Sequence, residues 1–147
     1  MRNGTKWGGA CWPFTLSGTG LMSSPLSGLV VEDEWLLRLE LVEELTSVGW
    51  SVREAASGET ALKAIADLQA EGQSVDFLVT DIRLGGAVDG WAVAQTFRQA
   101  WPTAAVIYVS ANPVMEKRRV ADSVVLSKPV EIETLLLLCR KLTMGAP

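Results

Sequence analysis

From Leu29 onward, short apolar runs alternate with longer segments in which apolar residues recur every three to four positions. The run Val75 to Thr80, for example, is almost wholly apolar and is followed by a helical period over Asp89 to Ala100. Strands that lack a polar face are buried on both sides, and the helices between them supply the cover. The pattern predicts a doubly wound α/β domain with a five-stranded parallel sheet. The predicted strands are 29–31, 50–55, 75–80, 104–109 and 124–126, and the predicted helices are 34–48, 57–72, 89–100 and 130–144, with one more after residue 112.

The distribution of charge divides the chain at residue 28. The first 28 residues contain no acidic residue, and 13 of them are Gly, Ser or Thr. All 17 acidic residues lie in residues 29–147. We therefore predict an N-terminal Gly/Ser/Thr-rich tail (1–28) and one domain (29–147). Whether the aromatic residues of the tail dock on the domain stays open.

The overall composition excludes several classes of protein. A net charge of −4 argues against direct DNA binding. No apolar run approaches the ~20 residues that cross a bilayer, and the tail lacks the unbroken apolar core of a secretory signal. Cys11 and Cys139 lie far apart, which favours free thiols in a reducing compartment. We expect a cytoplasmic protein without membrane insertion.

The chain contains no histidine. It therefore cannot form a Ser-His-Asp or Cys-His triad or a His-ligated zinc site, and it cannot itself be phosphorylated on histidine. Acid–base and metal chemistry must use carboxylates, Lys, Ser, Thr and backbone oxygen. Oxygen ligands of this kind suit hard cations such as Mg²⁺.

Polar residues follow four of the five predicted strands. Glu32 and Asp33 come after the first strand, Asp81 after the third, Ser110 after the fourth and Lys128 after the fifth. Because the carboxyl ends of parallel strands meet at one edge, these side chains should lie close together. Three adjacent carboxylates repel unless a cation lies between them. The arrangement predicts a Mg²⁺ site with an anion-binding lysine and serine beside it.

Each of these residues also has a simpler structural interpretation. The acidic run at Glu32 could begin a helix, Asp81 could form a turn, Ser110 could cap a helix and Lys128 could be a solvated surface residue. The argument for a site is that all of them fall at the carboxyl ends of strands.

Four motifs resemble the receiver domain of bacterial two-component response regulators, over roughly residues 28–143. They are Val30-Val-Glu-Asp-Glu34, Val79-Thr-Asp-Ile-Arg-Leu84 followed by Asp89-Gly90, Tyr108-Val-Ser-Ala111, and Ser127-Lys-Pro129. The resemblance implies a flavodoxin-like strand order, 2-1-3-4-5.

The resemblance also implies a role for each site residue. Asp81 would be the phosphoacceptor, with Lys128 contacting a phosphoryl oxygen and Ser110 closing on it after transfer. Asp33, Asp81 and the backbone carbonyl of Arg83 would bind Mg²⁺, and Glu32 would act through bound water. A carboxylate is a competent nucleophile at neutral pH, so this covalent step needs no histidine in the chain.

The sequence departs from the usual receiver pattern at two places beside this site. Gly85 stands where proline is common, with one extra residue before Gly90, which predicts a mobile loop. The switch position, three residues before Lys128, is Val125 instead of an aromatic residue, and whether Tyr108 substitutes for it stays open. Arg83 and Asn112 flank the site and should tune hydrolysis, in a direction left open.

The interval from Ser110 to Lys128 is a third departure, at 18 positions about four shorter than usual. Val114 to Ala121 shows little apolar periodicity. We predict a shortened or irregular fourth helix. The basic run of residues 117–119 is interpreted as a solvated face, with docking to an acidic partner as the alternative.

Three functional hypotheses from different classes follow. The first is a single-domain response regulator, a phosphoacceptor and not a turnover enzyme, since only 19 residues follow Lys128. The second is a degenerate receiver that serves as a constitutive protein-interaction module. The third, a haloacid-dehalogenase-like phosphatase, needs a second acid where Arg83 stands. A dinucleotide or flavin site is excluded because the first strand–helix turn has no glycine.

Under the first hypothesis the expected phosphodonor is a sensor histidine kinase or a histidine phosphotransfer protein. The phosphorylated domain would signal through protein–protein contact or drain phosphate from a kinase. Homodimer formation stays open.

Overall fold

The structure is a computed structural model that describes residues 25–112 and 118–143. These residues contain five strands and four helices. The strands are β1 (Ser27–Val31), β2 (Ser51–Ala55), β3 (Phe77–Asp81), β4 (Ala105–Ser110) and β5 (Val124–Ser127), and the helices are α1 (Trp35–Ser47), α2 (Gly58–Ala70), α3 (Gly90–Ala100) and α4 (Ile132–Thr143). Most of the predicted tail lies outside the described residues, so its role stays a prediction.

The strands form one sheet in the order β2-β1-β3-β4-β5, and every neighbouring pair is parallel. The predicted doubly wound α/β fold and its strand order are therefore confirmed. In this register Val31 lies opposite Thr80, Asp81 lies opposite Val109, and Ser110 lies opposite Ser127. The carboxyl ends of β1, β3, β4 and β5 are thereby adjacent along one edge.

Each face of the sheet has its own core. Because side chains alternate across a strand, Leu78 and Val79 point to opposite faces. Leu78 belongs to the cluster covered by α2 and α3, which includes Ala61, Ile65, Trp91, Phe97 and Tyr108. Val79 belongs to the cluster covered by α1 and α4, which includes Leu41, Leu45, Leu135 and Cys139. Burial on both faces explains why the strands show no polar alternation.

Short polar contacts fix the helix ends near the site edge. The Ser57 hydroxyl accepts from the backbone N–H of Thr60 at 3.1 Å, and the Thr60 side chain accepts from the backbone N–H of Ser57. Asp89 caps α3 in a similar way by accepting from the N–H of Ala92 at 3.0 Å. These contacts satisfy N–H groups that lack partners within the helix.

The observed element ends differ from the predicted ones by one or two residues at most positions. β1 begins at Ser27, two residues earlier than predicted, because Ser27 pairs with Ser51 and donates its N–H to Asp76 Oδ2 at 2.8 Å. β3 continues through Asp81, which pairs with Val109. Asp81 is thus the last residue of its strand, not the first residue of a turn.

Between β4 and β5, the described residues 111–112 and 118–123 form bends, turns and irregular backbone. No helix occurs in this part of the segment, where the prediction of a shortened or irregular fourth helix is confirmed; residues 113–117 lie outside the described residues. Two side chains of α3 hold residues 118–121. Gln95 donates to the carbonyl of Arg118 at 3.1 Å, and Arg98 donates to that of Ala121 at 2.7 Å.

Candidate functional site

The side chain of Lys128 contacts carboxylates at the ends of β1 and β3. This residue follows β5, and its Nζ lies 2.8 Å from Asp81 Oδ2 and 3.2 Å from Glu32 Oε1. Burial lowers the pKa of Lys128, but hydrogen bonds and charge attraction from Asp81 and then Glu32 outweigh this effect, and the net pKa is raised. The raised pKa favours the ammonium form of Lys128, which donates to Asp81.

Glu32 is a buried carboxylic acid group, with 2% of its surface exposed. Its Oε2 accepts from the backbone N–H of Glu34 at 3.1 Å. Burial and the nearby charge of Asp81 raise the pKa of Glu32, and the contacts with the Glu34 N–H and with Lys128 oppose this shift. The net pKa is raised, so burial outweighs the two contacts that stabilise the Glu32 carboxylate.

Three carboxylates form a cluster at this edge. One carboxylate oxygen each from Glu32, Asp33 and Asp81 lie within 4.8 Å of one another. Glu32 and Asp81 are buried, whereas Asp33 is exposed and keeps the cluster open to solvent. A single hard cation among these oxygens would offset their repulsion, and Mg²⁺ retains several waters in such sites. The donor set and its open side therefore fit Mg²⁺.

Both oxygens of Asp81 have partners. Oδ1 accepts from the backbone N–H of Arg83 at 3.2 Å, and Oδ2 accepts from Lys128. The side chain of Arg83 is exposed. The hydrogen bond from the Arg83 N–H to Asp81 places this part of the backbone beside the carboxylates. Binding of Mg²⁺ by the Arg83 carbonyl stays a prediction.

Ser110 lies at the end of β4, on the same edge of the sheet as the carboxylates. It is 3% exposed, and its Oγ accepts from the backbone N–H of Asn112 at 3.2 Å. The N–H of Lys128 donates to the Ser110 carbonyl at 2.9 Å, which ties the end of β4 to the lysine. Every residue predicted for the phosphoryl and metal site therefore lies at this one edge.

Comparison with known proteins agrees with this geometry. A family model described as the response regulator receiver domain matches residues 29–140. The chain belongs to the response regulator receiver family. Receiver domains accept phosphoryl groups in two-component signalling and generally bind Mg²⁺ at an acidic cluster.

The curated relatives include two sensor kinases. The chain is 32% identical over 111 residues to the sensor histidine kinase RcsC of Salmonella typhimurium, covering 73% of this chain and 11% of that protein. It is 36% identical over 89 residues to the sensor kinase CckA of Brucella abortus, covering 60% of this chain and 9% of that protein. The chain thus spans about a tenth of the length of these relatives.

Solved receiver structures show the same fold. A response regulator receiver protein from Sinorhizobium medicae is 30% identical with a TM-score of 0.74, covering 82% of this chain and 96% of that one. The receiver domain of the hybrid histidine kinase CckA is 28% identical with a TM-score of 0.68, covering 80% of this chain and 98% of that one.

The helices of the described residues include none with the length and hydropathy of a membrane span.

Two residues, Tyr108 and Val125, occupy the predicted switch region. Tyr108 is fully buried, its ring lies 4.7 Å from that of Trp91, and its hydroxyl accepts from the backbone N–H of Val120 at 3.1 Å. Burial raises the pKa of Tyr108, against the Val120 hydrogen bond and nearby arginines. Val125 lies opposite Tyr108 in the sheet and is half-buried. In this structure Tyr108 is a fixed part of the core.

Two contacts of this receiver could not be anticipated from its motifs. Glu59 in α2 accepts from the N–H of Ala87, and Arg118 forms two hydrogen bonds with Asp89. The signal for the first was an acidic residue in the first turn of a helix, which usually reflects only the helix dipole. The Arg118–Asp89 contact is indicated in the sequence only by the basic run of residues 117–119, a pattern typical of a solvated face.

Proposed function

We propose that this receiver accepts a phosphoryl group on Asp81 from a phosphohistidine of a partner protein, in a Mg²⁺-dependent reaction. The observation that supports this most directly is the contact of Lys128 Nζ with Asp81 Oδ2 at 2.8 Å, beside the three-carboxylate cluster. A structural ion pair alone would not need two further acids at the same edge.

In the proposed step an Asp81 carboxylate oxygen attacks the phosphorus atom, and an oxygen–phosphorus bond forms. The nitrogen–phosphorus bond of the donor breaks, and its electron pair stays on the imidazole nitrogen, which takes up a proton from solvent. Lys128 keeps its proton and moves its hydrogen bond to a phosphoryl oxygen. Asp33, Asp81 and the Arg83 carbonyl would hold Mg²⁺, with Glu32 acting through bound water, and the ion would supply charge neutralisation.

The acyl phosphate then places negative charge next to Ser110, whose hydroxyl already accepts from Asn112 and has its own proton to donate. We propose that the modified domain acts through protein–protein contact or as a phosphate sink, and that it is a phosphoacceptor and not a turnover enzyme. A sensor histidine kinase or a histidine phosphotransfer protein is the proposed donor, since the relatives RcsC and CckA are sensor kinases.

Labelling by a small phosphodonor tests this function. We expect phosphoramidate with Mg²⁺ to add one phosphoryl group, which intact-mass spectrometry detects and hydroxylamine removes. Asp81→Asn should abolish the labelling, because an amide is not a nucleophile. The matched control is Asp67→Asn, an exposed aspartate of α2 paired with Lys63.

The outcomes separate the hypotheses. If Asp81→Asn is labelled as fully as the parent, the phosphoacceptor is another residue. If the parent is not labelled and does not bind Mg²⁺, the alternative of a degenerate receiver that serves as an interaction module is favoured instead.

A further inference from the structure

The loop that follows Asp81 is fixed at both ends and exposed in its middle. Ile82 and Leu84 are buried, and the N–H of Gly90 donates to the Ile82 carbonyl at 2.8 Å. Gly85, Gly86 and Ala87 between them are exposed. Two consecutive glycines lose more conformational entropy on ordering than other residues do. Without a further contact, this middle part would sample many conformations.

Glu59 provides that contact from α2. Its Oε2 accepts from the backbone N–H of Ala87 at 3.0 Å. A Cβ atom added to Gly86 would lie 2.7 and 2.8 Å from the two carboxylate oxygens of Glu59, so the carboxylate fits closely against a residue that has no side chain. Close packing continues at the helix start, where a Cβ atom on Gly58 would clash with the carbonyl oxygen of Val88.

The other side of the same loop faces the acidic cluster. A Cβ atom on Gly85 would lie 3.5 Å from Asp33 Oδ2, which is ordinary van der Waals contact. The loop thus lies between the Glu59 carboxylate on one side and the Asp33 carboxylate on the other. Asp33 is exposed, so burial does little to restrict its position.

We propose that Glu59 is a positioning residue for the Mg²⁺ site. It holds residues 85–87 against α2, and this backbone in turn restricts Asp33 and the Arg83 backbone beside Asp81. This inference rests on the proposed function, because it concerns the same metal site. Groups behind the ligands of a metal commonly change its affinity without contacting it.

The chemistry of the contact favours a carboxylate. Glu59 lies in the first turn of α2, where the helix dipole stabilises a negative charge. A carboxylate oxygen that accepts from a backbone N–H forms a stronger hydrogen bond than a neutral acceptor does. Glutamine has the same length and retains an acceptor oxygen, whereas alanine removes the acceptor.

The test compares the Mg²⁺ dissociation constants of parent, Glu59→Ala and Glu59→Gln by calorimetry, with hydrogen exchange of the Ala87 amide measured in parallel. We expect Glu59→Ala to speed exchange and to weaken Mg²⁺ binding about three- to tenfold, because only part of the lost hydrogen-bond energy acts on the metal site. Glu59→Gln should stay within about twofold of the parent, because most of the hydrogen bond survives. Glu43→Ala on α1, also an exposed glutamate, controls for lost charge.

Each other outcome overturns the proposal. If Glu59→Ala binds Mg²⁺ as the parent does, the loop contact does not position the site. If Glu59→Gln or Glu43→Ala weakens binding as much as Glu59→Ala does, the effect is long-range charge and not positioning. If the parent itself binds no Mg²⁺, the proposed function fails as well, which distinguishes that failure from one confined to Glu59.

Discussion

Tyr108 combines two interactions that a substitution can separate. Its ring packs on Trp91, and its hydroxyl accepts from the N–H of Val120 in the segment before β5. The hydroxyl therefore attaches that segment to the core, while the ring fills the core itself.

Tyr108→Phe should remove the hydrogen bond and keep the packing. We expect a loss of about 1 kcal/mol in the free energy of unfolding, the usual net value of one such bond. Tyr108→Ala should cost about 3–5 kcal/mol, because it also empties a buried site. Urea unfolding monitored by circular dichroism measures both. Equal costs for the two variants would contradict a separate role of the hydroxyl.

Some residues at and near the site could be predicted from the sequence, and others could not. Asp81 and Ser110 end apolar strands and Lys128 follows one, and parallel topology then dictates that they share an edge. Glu59 and Arg118 are exposed charged side chains, and their partners are brought near by the path of two loops. No periodicity specifies such a path, so these contacts required the structure.

Asp89 connects helix α3 to the segment before strand β5. It caps α3, and its two carboxylate oxygens accept from Arg118 at 2.8 and 3.1 Å. Burial raises the pKa of Asp89, but the Ala92 N–H and then Arg118 outweigh it, and the net pKa is lowered. A lowered folded-state pKa means that this stabilisation is present above the unfolded-state pKa and is lost as pH falls through the folded-state value.

Arg118→Ala should move the pKa of Asp89 back toward its ordinary value, with part of the lowering retained by the Ala92 N–H. NMR titration of the Asp89 carboxyl carbon measures this shift. Arg53→Ala, which removes an exposed guanidinium that pairs with Glu71, serves as the control and should leave the titration of Asp89 unchanged. A titration that is the same in Arg118→Ala and the parent would show that the pair contributes nothing in solution.

The four helices of the described residues were predictable in kind and position, but the segment after Ser110, where one more helix was also predicted, was predictable only in part. Ser57 and Asp89 cap their helices through local contacts, so sequence alone locates α2 and α3 closely. Residues 118–123 are held by side chains of α3 and by Tyr108, which lie far away in sequence. Local bonds from Arg119 to Ser123 and from Ser123 to Val120 add to these tertiary contacts, and no sequence periodicity specifies the combination.

For the whole molecule, the acidic cluster couples metal binding to folding. Its carboxylates come from the ends of β1 and β3, and they converge only when the sheet has formed. The unfolded chain has no such site. Any Mg²⁺ bound there therefore stabilises the folded state by mass action.

Mg²⁺ should raise the melting temperature of this protein. At ten times the dissociation constant the expected stabilisation is about 1.4 kcal/mol, or about 3–6 °C for a domain of this size. Asp33→Asn should remove most of this gain. Because Asp33 is exposed and Glu32 and Asp81 keep their contacts with Lys128, the variant should fold almost as stably as the parent without metal. Thermal unfolding in MgCl₂, against NaCl of equal ionic strength, measures the difference. An equal gain in NaCl, or in Asp33→Asn, would mean that the cation screens charge across the surface instead of binding at the sheet edge.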